Sequence, residues 1–181
     1  YIPQLYYDVP RKELEIIRQV KVRGDCEIYA RTYDWGVLTL GDLQKRSEES
    51  RQNYRRYLQE RRTQGNPIKR INVFHMTGKL PPEIAQLQHL REVAIEHGTL
   101  DSWRHLPYTS RWLTVFNVEA ANLLDFPDPY PGVKKVTIYK DPRSQRMLRS
   151  LTGWPRMPDV EKIEIEGMDF RTCAALPPLP K

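Results

Sequence analysis

Leu90-Arg-Glu-Val93-Ala-Ile95 returns at four other places in the chain with its aliphatic spacing kept. The copies are Ile68-Lys-Arg-Ile71-Asn-Val73, Ser110-Arg-Trp-Leu113-Thr-Val115, Val133-Lys-Lys-Val136-Thr-Ile138 and Val160-Glu-Lys-Ile163-Glu-Ile165. Successive copies begin 22, 20, 23 and 27 residues apart, and Ser110 alone stands where the others open on an aliphatic residue. One short strand per unit, at a period in this range, is the signature of a solenoid. No unit buries its apolar face alone, so a core forms only when neighbours stack.

Nearly all the prolines lie after residue 66, yet none falls in the windows 68–76, 90–98, 110–118, 133–141 or 160–168. Proline removes a ladder hydrogen bond, so it maps strands by exclusion. Between the strands, Leu80, Ile84 and Leu87, then Leu100, Trp103 and Leu106, then Leu124 and Phe126, then Leu148, Leu151, Trp154 and Met157 are expected to point inward. Phe170, Leu176 and Leu179 are expected to close the C-terminal end.

Residues 1–67 read as a cap region ahead of the repeats. Asp42 is a good N-cap for a helix over 42–62 that Gly65-Asn66-Pro67 ends, with Leu43, Tyr54, Tyr57 and Leu58 on one face. That stripe is expected to cover the open end of the first repeat, with the basic remainder solvated. Earlier, Pro10 can open a helix through Leu14, Ile17 and Val20. The alternation Val20, Val22, Cys26, Ile28, Ala30 equally fits a hairpin turning at Gly24-Asp25. A short helix followed by irregular structure is the reading taken.

The net charge of +6 is spread evenly: residues 1–67 hold 13 basic against 10 acidic residues, and 68–181 hold 16 against 13. A nucleic-acid binder gathers its excess into an arm or stripe, so nucleic acid is not the expected partner. No apolar run is long enough for a membrane span, and no secretory leader is read in the first residues. Cys26 and Cys173 lie at opposite ends of an elongated fold and are read as buried thiols. Gly-x-Gly-x-x-Gly, P-loop, Gly-x-Ser-x-Gly and His-Glu-x-x-His patterns are all missing, so no catalytic residue and no cofactor are expected.

The stretch Met76-Thr-Gly-Lys-Leu80-Pro-Pro-Glu-Ile84-Ala-Gln-Leu87-Gln-His-Leu90-Arg-Glu-Val93-Ala-Ile95 resembles one unit of a plant-style leucine-rich repeat. Bacterial effectors delivered by type III secretion into plant and animal hosts carry similar repeats, with a Leu-Pro step in the same place. Tyr33-Asp34-Trp35, the Arg-rich helix and Gly65-Asn66-Pro67 resemble the helical N-terminal caps of the XopL-like and IpaH/YopM-like effector groups. The resemblance implies an α/β solenoid: a short, irregular leucine-rich-repeat horseshoe with parallel β-strands, five units over 68–181 and an N-terminal helical cap. It implies a non-catalytic protein–protein interaction module, the target-recognition domain of a secreted virulence effector acting on a host protein in the host cytoplasm. Outside that family the chain would be cytoplasmic. The alternative is the substrate-recognition half of an effector ubiquitin ligase. Its catalytic domain would lie outside this chain, since Cys26-Glu-Ile and Cys173-Ala-Ala both fail the Cys-x-Asp pattern of the IpaH-like enzymes. One departure stands out. The column where most repeats place asparagine holds Met76, Gly98, Val118, Asp141 and Met168, so irregular turns are expected.

Strand alternation turns the aliphatic positions inward and the intervening ones onto the concave face. Those outward residues are Arg70, Asn72 and Phe74; Glu92, Ala94 and Glu96; Trp112, Thr114 and Phe116; Lys135, Thr137 and Tyr139; Lys162, Glu164 and Glu166. Exposed aromatics beside charged groups have the composition of an interface hot spot. The protein-binding candidates are therefore Arg70, Phe74, Glu96, Trp112, Phe116, Lys135 and Tyr139. Mixed charge along this face favours a protein ligand over a phosphate backbone. His75 and His97 occupy equivalent places about 5 Å apart if strands pair in register. No third ligand is in view, so they read as stacked repeat residues and no metal is expected.

Overall fold

A computed structural model of the chain describes residues 9–24, 26–32, scattered positions between 48 and 63, and 65–167. Helix α1 (Arg11–Arg23) is followed by strand β1 (Glu27–Arg31). The first repeat strand β2 (Arg70–Phe74) comes next, then a short strand β3 (Thr77–Lys79) and a 3-10 turn over Pro82–Gln86. The chain continues through β4 (Glu92–Glu96), β5 (Thr99–Ser102), β6 (Trp112–Phe116), β7 (Lys135–Tyr139) and β8 (Lys162–Glu166). All five expected repeat strands form, and β2, β4, β6, β7 and β8 pair as parallel neighbours in that order. The fold is a parallel-strand solenoid.

No strand slips against the next. Ile71, Val93, Leu113, Val136 and Ile163 share one column, and Val73, Ile95, Val115, Ile138 and Ile165 another. A one-residue slip would turn both aliphatic columns to the outside, which is why the register holds. From β2 to β7 these residues are buried, and they join the inter-strand residues Met76, Leu80, Ile84, Leu87, Leu100, Trp103 and Leu106 in one continuous core. Fully burying one such side chain stabilises by about 1.5–3 kcal/mol.

One inward assignment needs correction. Leu124 is 68% exposed, and Leu123 takes the inner place, because Asn122 Oδ1 accepts the Leu124 amide at 3.0 Å and turns the chain there. Ser110, the one break in its column, belongs to the interior as well. It is wholly buried, and its hydroxyl meets the hydroxyl of the equally buried Tyr130, which donates to the Pro107 carbonyl at 2.7 Å. The turns are irregular, as expected, with a register shift between Gly78 and Lys79 where β3 meets β5. Without an asparagine column, the backbone supplies the stacking: β3 pairs parallel with β5, and bridges link Thr99 to Glu119 and Ala120 to Leu148. Gly98 is required in this stack, since a Cβ there would lie 2.7 Å from the Met76 carbonyl oxygen.

At the N-terminal end the expected helix forms, with Gly24 at φ 75° closing it in the left-handed conformation. Glu13, Ile16, Ile17 and Val20 make its buried face. The segment after it is not irregular: β1 adds to the sheet antiparallel to β2, placing Ile28 opposite Val73 and Ala30 opposite Ile71. Buried Glu13 reaches from α1 to accept the Ile68 amide at 2.7 Å, just ahead of β2. Desolvation raises its pKa, against the lowering pull of that amide and of nearby His89. Of the helix expected over 42–62, Glu48, Gln52, Arg55, Arg56, Gln59 and Arg62 are described, each helical and exposed. Leu43, Tyr54, Tyr57 and Leu58 lie outside the described residues, as do Tyr33-Asp34-Trp35, Cys173, Phe170, Leu176 and Leu179. Cys26 is buried, as expected. Among the described residues, no helix is long and apolar enough to cross a membrane.

Candidate protein-binding face

The registers turn the outward positions into three rows running across six strands. Opposite residues of an antiparallel pair share a face, so β1 contributes as well. The first row is Arg31, Arg70, Glu92, Trp112, Lys135 and Lys162. The second is Tyr29, Asn72, Ala94, Thr114, Thr137 and Glu164; the third is Glu27, Phe74, Glu96, Phe116, Tyr139 and Glu166.

The first two rows largely satisfy themselves. Arg70 was expected at the surface but is buried at 9% exposure, because β1 makes β2 an interior strand. Its guanidinium pairs with Glu92 at 3.0 Å and donates from Nε to Asn72 Oδ1 at 2.9 Å. Asn72 in turn donates to Glu96 Oε1 at 2.7 Å. Asn72, Glu92 and Ala94, also expected outside, are buried with it. At the other end Lys135 pairs with Glu164 at 2.7 Å, Lys162 pairs with the same carboxylate, and Thr137 donates to it at 3.2 Å. The hydrogen bonds and charges of the two lysines hold the Glu164 pKa down at about 2. Lys135 is thus committed inside the face.

Aromatic rings dominate what remains. Trp112, Phe74 and Phe116 are half-buried and Tyr139 is exposed. Phe116 stacks on Tyr139 with centroids 4.1 Å apart and planes 18° from parallel, and His97 meets Phe116 edge-on at 4.8 Å. His97 stacks on His75 at 5.9 Å, and Tyr29 meets Phe74 edge-on at 5.5 Å. A ribbon of rings therefore follows the C-terminal ends of β2, β4, β6 and β7, begun by Tyr29 from the middle of β1: Tyr29, Phe74, His75, His97, Phe116 and Tyr139. Phe74, Phe116 and Tyr139 are brought together in it, with Glu96 between the first two. Trp112 lies at the far end of its own strand, about 13 Å from Phe116 at the strand rise. Burial, then the negative charges of Glu96 and Glu166, raise the Tyr139 hydroxyl pKa.

Tyr29 and Glu27 were not read from the sequence, whereas His75 and His97 stack on each other as their equivalent places implied. His75, His97 and Asn117 follow their strands with φ of 52°, 55° and 50°, a left-handed region in which His and Asn are enriched. That recurring His, His, Asn was a legible signal, one column before the position where asparagine was sought. Asn117 Oδ1 accepts the Asp141 amide at 2.8 Å, so a single asparagine does bond a neighbouring turn. Among the described residues, no group of three or more His, Cys, Asp or Glu is placed to hold a metal. No family model, curated protein or solved structure matches this chain. The chemistry of the face is therefore the ground for any functional reading.

Proposed function

We propose that this chain is a non-catalytic protein-recognition module, a short leucine-rich-repeat horseshoe that grips a partner through its sheet face. The observation that carries this reading is the Phe116–Tyr139 stack, outward on the sheet at its third row, with Trp112 on the same strand. Rings left partly open there hold apolar area that a partner would bury, at about 25 cal/mol per Å². Trp and Tyr are the side chains most often found as interface anchors. Arg70 and Lys135 act within the face instead, through ion pairs that fix the sheet around the rings.

The partner on this reading is a host protein, and the chain is the target-recognition part of a secreted bacterial effector. Support comes from the repeat-like stretch 76–95 and from the in-register stacking of five units. The test is affinity capture from plant and animal host lysates with the intact chain and with Trp112→Ala/Phe116→Ala. At least one protein should be captured by the intact chain, rebind when purified, and be lost by more than tenfold with the double variant. Identical captured sets, with both proteins folded by circular dichroism, would remove these rings from the site.

A further inference from the structure

The charges of the sheet face are not distributed evenly among its rows. Carboxylates of the first two rows are neutralised internally: Glu92 by Arg70, and Glu164 by Lys135 and Lys162. In the third row, Glu27, Glu96 and Glu166 have no cationic partner among the described residues. Lys140, just beyond Tyr139, turns its ammonium to the carbonyls of Asp141 and Ser144 at 3.3 and 2.9 Å. Arg146 donates to the His97 carbonyl at 2.9 Å and leaves the carboxylates unmatched.

These three carboxylates are interleaved with rings in the order Glu27, Phe74, Glu96, Phe116, Tyr139, Glu166, with neighbouring strands about 4.8 Å apart. Each carboxylate therefore lies next to at least one aromatic side chain. A cation over a ring face is attracted by the ring's quadrupole, and a carboxylate beside it adds a charge-assisted hydrogen bond. The guanidinium suits both, because it is planar, stacks on rings and bonds carboxylates with two parallel N–H groups.

Resting on the protein-recognition reading above, we infer that the third row is a docking strip for an arginine-bearing segment of the partner, with a guanidinium on the face of Tyr139 turned away from Phe116, held by Glu166, and Glu96 bonding the same segment on the other side of the stack. The overall charge sharpens the inference. The chain carries +6 net, so it repels basic peptides at long range, and only a local negative strip would select them.

The experiment pans a random dodecapeptide phage library on the full chain. Enriched peptides are then measured by fluorescence anisotropy, as arginine and citrulline versions, against the wild type, Glu96→Gln/Glu166→Gln and Trp112→Ala/Phe116→Ala. Citrulline keeps the shape of arginine and removes its charge. The expected result is arginine in the enriched peptides, with at least a tenfold loss of affinity on citrulline replacement and on the Glu96→Gln/Glu166→Gln variant. Glu166→Gln alone, at the exposed last strand, should give at least a threefold loss and keeps the test open should the double variant fail to fold. Enriched peptides that lack arginine, or whose affinity ignores the charge change, overturn the inference. If such peptides still need Trp112 and Phe116, the protein-recognition reading survives. No enrichment, or peptides indifferent to every variant, removes both.

Discussion

At residue scale, Ser110 illustrates what a repeat pattern conceals. It breaks an aliphatic column and looks like a defect, yet it is the hydroxyl partner of Tyr130, twenty residues later in the chain. No local pattern links the two, because the pairing exists only once neighbouring units stack. Burial pushes the Tyr130 hydroxyl up to about 12, against the lowering effect of the Ser110 bond. The unfolded side chain ionises near 10, so this tyrosine's contribution is intact below pH 10 and is lost as the pH rises toward about 12. Tyr130→Phe should cost about 1 kcal/mol at neutral pH in urea unfolding and flatten the alkaline fall in stability. An alkaline fall of the same steepness in the variant would assign it to other groups. Arg70 taught the opposite lesson. Its exposure was misjudged, although Arg and Glu at equivalent places of adjacent repeats already spelled a cross-strand pair.

The element scale is where the sequence was most and least informative. Repeat strands were legible because alternation and proline exclusion are local signals, and every one formed where those signals overlapped. Strand β1 was not, since its partner β2 lies about forty residues on and its own alternation fitted a hairpin with α1 equally well. Helix α1 is tied to the first repeat through Glu13, whose carboxylate takes the buried Ile68 amide. Glu13→Ala strands that donor and should destabilise by about 1–3 kcal/mol, read as a lower denaturation midpoint. Strands β7 and β8 are tied by the lysine pair on Glu164. Because the folded pKa of Glu164 is about 2 against an ordinary 4.5, its contribution is present above pH 4.5 and fades as the pH falls toward 2. Added salt should weaken it, since the group is partly exposed. Glu164→Gln should then have a shallower acid unfolding curve than the wild type, and coincident curves would dismiss the pair.

Across the whole molecule, each described strand hydrogen-bonds only to its sheet neighbours, so stability is close to a sum of adjoining terms. Those terms are unequal. Ile95 is fully buried between strands on both sides, whereas Ile165 in β8 is only partly covered. Ile95→Ala should cost about 2–5 kcal/mol, and Ile165→Ala clearly less. Amide exchange should likewise be slowest in β4 and β6 and fastest in β8. Uniform protection across the sheet would mean that the molecule opens as one block.

The antiparallel pairing of β1 also limits how such an architecture can lengthen. A duplicated module spliced in after β2 would meet the same neighbours that Leu90 to Thr109 meet now, and the rod would simply be longer. One fused ahead of β1 would face a strand of reversed direction and could join it only antiparallel, as β2 does, so the parallel run would be interrupted there. Unbroken parallel growth, by evolution or by an engineer, is open downstream of β1 and interrupted upstream of it.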